Sequence, residues 1–208
     1  MTVTIKYQSQ FADQTISSYT QQWATAYGDL VQALNHEDTY NFFSGTDANN
    51  NKIVLAGFKS FYDSAAIIIG GTLLGDNGRM GSENYIQSLE FGESLIPNTD
   101  NTGKQLEQVQ LRFDGLEIEG DFYHSICSLS RAIHAEPGKP YQDGMDQGIY
   151  NLLRGNAIPI LEILKAQGID VDTPLKDMAI ASQFDIITDT PIIDALGATD
   201  GSDILLAA

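Results

Sequence analysis

At the start of the chain apolar Val3, Ile5 and Tyr7 alternate with Thr2, Thr4 and Lys6, the period-two pattern of a half-buried strand. The period then lengthens. Tyr19, Trp23, Ala26, Tyr27 and Leu30 recur at helical spacing while Thr20, Gln21, Gln22 and Thr25 face water, which predicts an amphipathic helix. Ser17 or Ser18 is expected to cap its start and Gly28 to follow its end, before a polar, irregular stretch to about Gly45. Residues 52 to 69 carry Ile53, Val54, Leu55, Phe58, Phe61 and Tyr62, then Ala65-Ala66-Ile67-Ile68-Ile69. They read as two or three strands broken near Lys59 and Asp63. Tyr85 to Phe91 is a further strand, and Val109, Leu111 and Phe113 alternate with Gln108, Gln110 and Arg112. Leu116, Ile118 and Phe122 against Glu117, Glu119 and Asp121 predict a sheet face that is acidic and wet.

After Phe122 the period returns to about 3.6. Phe122, Ile126, Leu129 and Ile133 form one stripe, broken by Pro137-Gly138-Lys139-Pro140; Met145, Ile149, Leu152 and Leu153 form the next, closed by Gly155. Pro159 opens a helix over Ile160 to Lys165 that Gly168 ends, and Thr173 before Pro174 is expected to cap a last helix through about Ser182. Strands first and helices later imply a single α+β domain, a curved antiparallel sheet with helices packed on one face. Residues 1–185 are expected to form that domain and 186–208 a loosely ordered tail.

Composition narrows the function. Of 208 residues 42% are hydrophobic, enough for a substantial core, and no apolar run approaches the roughly 20 residues of a membrane span. A formal charge of −17 and a pI near 4.2 oppose nucleic acid and anionic membranes through Coulomb repulsion. Cys127 is the only cysteine, so an intramolecular disulfide is excluded. The amino end reads as a strand and lacks the basic start and apolar block of a cleavable signal.

Four stretches resemble one family in order along the chain: Ser17 to Asp29 with Gln22-Trp23-Ala24 and Tyr27-Gly28-Asp29; Ser88-Leu89-Glu90-Phe91-Gly92; Tyr150-Asn151-Leu152-Leu153-Arg154-Gly155-Asn156; and Ile204-Leu205-Leu206-Ala207-Ala208. They resemble the HasA-type haem-acquisition proteins, the secreted hemophores. The resemblance implies that two loops sandwich haem, that the protein hands haem to an outer-membrane hemophore receptor, and that host haem proteins are partners. It also implies secretion through a type I exporter that reads an uncleaved signal at Ile204, Leu205, Leu206, Ala207 and Ala208. This overrides the cytosolic address that composition alone would suggest.

The same resemblance places the family's first-loop ligand on Gln32 and its second-loop tyrosine on Leu74 or Gly75. The histidine that assists that tyrosine falls on Glu83. None of these side chains suits iron as imidazole or phenolate does. The segment from Gly70 to Asn84 holds no Tyr, His or Cys, and Met80 is its one soft donor. In the first loop His36 and Tyr40 lie a few residues beyond the family position, and His36 is the expected haem-iron ligand because neutral imidazole binds iron without prior deprotonation. Ile149, Tyr150 and Leu153 would supply apolar and stacking contact to the porphyrin, and serve equally as core.

Further chemistry is sparse. Asp76-Asn77-Gly78 lacks the ligand offsets of a calcium loop. His124 and Cys127 share a helix face with no third ligand in register, and with His134 they sit outside the two family loops, so a surface helix with a semi-buried thiol is expected there. No nucleophile elbow, HExxH or P-loop is present, which argues against an enzyme. A family member that has lost iron ligation and acts as a receptor- or protein-interaction module is the alternative.

Overall fold

The structure, a computed structural model, describes residues 2–33, 39–46, 52–74, 84–99, 103–134 and 147–184. Seven strands form one open sheet: β1 (Thr4–Tyr7), β2 (Tyr40–Thr46), β3 (Lys52–Lys59), β4 (Ala65–Thr72), β5 (Tyr85–Pro97), β6 (Lys104–Glu119) and β7 (Ala181–Gln183), in the order β2-β3-β4-β5-β6-β1-β7. Neighbours are antiparallel except β1 and β7, where Ile5 lies beside Ala181 in a parallel pair. The expected all-antiparallel sheet is thus mixed at one edge. The described helices are α1 (Ile16–Tyr27), α2 (Leu30–Ala33), α3 (Asp121–His134), α4 (Gly148–Leu152) and α5 (Ile158–Ala166).

Helices cover one face. Inward side chains of the sheet, among them Ile67, Ile69, Phe91 and Phe113, join Trp23 of α1, Phe122 of α3, Leu152 of α4 and Ile160 of α5 in one buried cluster. The opposite face holds a smaller cluster of Ala66, Ile68 and Leu106 with partly buried Phe43, Leu55, Leu95 and Val109, all from strands. This is the α+β layering expected from the change of period.

Local chemistry departs from expectation in five places, the first being Thr20, expected to face water but fully buried on α1. Thr15, not Ser17 or Ser18, caps α1: its hydroxyl accepts from Ser18 N–H at 3.0 Å while its own N–H donates to Ser18 Oγ at 3.0 Å. Part of the stretch read as irregular forms α2 and β2, because Tyr40 and Phe42 alternate with Asn41 and Phe43 against β3. Asp121, expected on the wet acidic face with exposed Glu117 and Glu119, is 2% exposed at the start of α3. The helix expected after Pro174 is one 3₁₀ turn, Leu175–Asp177, since the chain is then recruited as β7 beside β1. No described helix is long and apolar enough to cross a membrane.

On the outer face Arg112 forms a bidentate pair with Asp114, at 2.7 and 3.0 Å, and reaches Glu90 at 3.2 Å across the β5–β6 ladder. Burial pushes the Glu90 carboxyl above its ordinary value, and Asp114 adds to the rise, although the charge of Arg112 opposes it. A carboxyl raised in the folded state binds its proton more tightly there than when unfolded. Glu90 therefore contributes a loss of stability as pH climbs from the ordinary carboxylate range to its raised value. Glu90→Gln should flatten that part of the stability profile. Thermal melts between about pH 4 and 7 check this, and parallel profiles for the two proteins would refute it.

Candidate functional site

Two distant motifs meet at the root of the first loop. Asp29 Oδ1 accepts from Val31 N–H at 2.9 Å at the start of α2 and pairs with Arg154 Nε at 2.8 Å. Arg154 Nη1 donates to the Tyr150 hydroxyl at 2.9 Å, and its guanidinium lies 5.7 Å from the centre of the Tyr150 ring. Leu30 N–H donates to Leu153 O at 2.8 Å. The Gly28-Asp29 and Tyr150–Asn156 stretches therefore form one joint that fixes where the loop leaves the body.

Beyond this joint lies an apolar cleft of about 270 Å³ between α2, β2, β3 and α3, lined by Leu30, Tyr40, Phe42, Phe58, Ile126, Leu129, Ser130, Ile133 and His134. Its walls are aromatic and aliphatic. Tyr40 stacks on Phe58 at 6.0 Å, and Phe42 meets Phe122 edge to face at 6.1 Å. Tyr40, Phe42 and Ile133 are nonetheless 50%, 37% and 41% exposed, a concentration of open apolar surface in a mostly well-buried chain. His134 Nδ1 lies 2.8 Å from Ser130 O. Because a carbonyl oxygen only accepts, Nδ1 carries the hydrogen, and in the neutral ring Nε2 holds the lone pair.

A second cleft of about 280 Å³ opens beside Trp23, where β5 and β6 shift register between Phe91 and Gly92. Its polar wall is a chain: Tyr19 hydroxyl donates to Gln110 Oε1 at 2.8 Å, and Gln110 Nε2 donates to Glu93 Oε1 at 2.8 Å. Burial first, and the charge of Glu93 second, raise the Tyr19 phenol far above its ordinary value; burial and Asp29 do the same to Tyr27. Neither tyrosine offers a phenolate near neutral pH.

Of the side chains singled out in the sequence, Tyr40 lines the apolar cleft and Gln32 stands exposed on α2. Leu74 is half-buried at the end of the described part of the second loop. His36, Gly75, Met80, Glu83 and the signal Ile204 to Ala208 lie outside the described residues. Ile149, Tyr150 and Leu153 are core, at 0%, 5% and 0% exposure, and none lines the cleft. His124 and Cys127 are half-buried on α3, with the His124 ring 5.3 Å from Tyr123. Among the described residues no three His, Cys, Asp or Glu side chains gather to hold a metal ion.

Reading the sequence alone missed Phe42, Phe58 and His134 as cleft residues. Ile126, Leu129 and Ile133 were legible as one stripe, but a stripe does not say whether it faces core or cleft; Ile126 and Leu129 do both.

The family model described as heme-binding protein A (HasA) matches residues 1–208. Among solved structures, holo HasA from Yersinia pestis is 31% identical with a TM-score of 0.64, over 88% of this chain and 99% of that one. An apo form of the same Yersinia pestis hemophore is 32% identical at the same coverage, also with a TM-score of 0.64. A mutant HasA monomer from Yersinia pseudotuberculosis is 29% identical, with a TM-score of 0.60, over 88% of this chain and 99% of that one. Among curated proteins none matches the chain. With the family matched from end to end and the fold shared with hemophores over nearly their whole length, this chain belongs to the HasA family.

Proposed function

We propose that this protein is a secreted hemophore that binds haem in the apolar cleft between α2, β2–β3 and α3. The observation that carries the reading is the cleft itself: exposed Tyr40, Phe42 and Ile133 converge at the root of the first loop in a HasA-family chain. A flat, largely apolar ligand would bury that surface, at about 25 cal/mol per Å². The open apolar walls and the imidazole of His134 fit haem, whose iron would be completed by side-chain donors.

From the first loop the donor we assign is His36, with Tyr40 the alternative at that same position. Gln32 offers only an amide, and Leu74, Gly75, Met80 and Glu83 bring neither imidazole nor phenolate from the second. Hemin titrated into the purified protein should give a saturable one-to-one complex with a defined Soret band. That stretch without Tyr, His or Cys from Gly70 to Asn84 favours one rival: a family member that engages a receptor or a host haem protein without ligating iron. Absence of saturable hemin binding would select it.

Under the favoured reading residues 1–185 carry the haem site, and 186–208 form the tail that a type I exporter reads. Haem passes from the cleft to an outer-membrane hemophore receptor. Removing Ile204 to Ala208 should retain the protein inside cells while its melting curve stays unchanged. Secretion undiminished by the truncation would overturn the assignment of the signal.

A further inference from the structure

We propose that His134 is an iron ligand of this site, binding through Nε2 from the α3 wall and substituting for the donor that the second loop lacks. The inference rests on the haem-binding reading above.

His134 is the last residue of α3 and lines the cleft, so its ring stands beside the surface formed by Tyr40, Phe42 and Ile133. The contact of Nδ1 with Ser130 O, one helical turn back, holds the ring and places the hydrogen on Nδ1. That is the support metal-bound histidines ordinarily receive: the far nitrogen donates to a carbonyl, which orients the ring and makes the near nitrogen a better donor. Other donors near the centre of the fold are unsuited. Tyr19 and Tyr27 are buried phenols, while His124 and Cys127, on the same helix, do not line the cleft. Between Gly70 and Asn84 only the Met80 thioether remains.

The test compares hemin complexes of the full chain with those of His134→Ala, His134→Gln, His36→Ala and His124→Ala. Absorption, electron paramagnetic resonance and affinity are read for each. His134 is exposed at a helix end, so the variants should melt as the wild type does. Ligation predicts that both His134 variants lose an imidazole signature and bind hemin about tenfold or more weakly, that added free imidazole restores the spectrum, and that His124→Ala changes nothing. If His134→Ala binds more weakly but keeps the wild-type spectrum, His134 only touches the porphyrin and the proposal fails. Unchanged spectrum and affinity in both His134 variants also overturn it, while leaving haem binding intact. A wild type that takes up no hemin removes the underlying reading, and this proposal with it.

Discussion

Asp121→Ala should lower the free energy of unfolding by about 2–5 kcal/mol, because each buried N–H left without an acceptor costs about 1–3 kcal/mol. α4 has five residues and no capping side chain of its own. Asp121 supplies the cap from α3: its carboxylate accepts from Gly148 N–H at 2.6 Å, Ile149 N–H at 3.0 Å and the Ser125 hydroxyl at 3.3 Å. Ser125 Oγ in turn accepts from Tyr150 N–H at 2.9 Å. Alanine would leave two buried N–H groups without acceptors in a site away from water. Asp121→Asn keeps one accepting oxygen and should cost less. Urea denaturation followed by circular dichroism measures both; an alanine variant within about 1 kcal/mol of the wild type would show the network to be dispensable. The consequence extends to the cleft, because Asp121 ties α3, its wall, to the α4 segment whose Tyr150 and Arg154 hold Asp29.

Trp23→Ala should cost about 3–5 kcal/mol by the ordinary scale for emptying a large aromatic site. The indole is 5% exposed, stacked on Tyr27 at 4.9 Å between ring centres and edge-on to Phe91 at 5.1 Å. Gly92 makes room at the register shift beside it, where a Cβ would collide with the Gln108 carbonyl oxygen. Trp23→Phe keeps most of the stacking and should lose roughly 1–2 kcal/mol, since volume-changing swaps that retain an apolar ring cost less. Because the substitution removes the only tryptophan, circular dichroism rather than fluorescence follows unfolding. A loss below about 1.5 kcal/mol for alanine would mean that the core closes over the vacancy.

Much of this was legible along the chain. Alternation located β1 and the two halves of β6, which the structure joins through Gly115 at a φ of +77°, and apolar runs located β3 and β4. Helical spacing located α1, α3 and α5. What misled were segments whose local signals were ambiguous. Asn41, Ser44 and Gly45 gave β2 the composition of a loop, and Thr173-Pro174 is as good a start for a 3₁₀ turn as for a helix.

The amino-acid sequence by itself determined most of the element types, the layered α+β class, the family and the lack of Tyr, His or Cys from Gly70 to Asn84, because periodicity, turn chemistry and side-chain identity are local properties. Tertiary structure alone decided that Asp121 is buried under α4, that Asp29 meets Arg154, and that His134 looks into a cleft while Tyr150 turns into the core. A helical stripe specifies which side chains share a face. What that face meets depends on contacts between segments far apart in the chain, and those form only when the sheet and its helices close around one core.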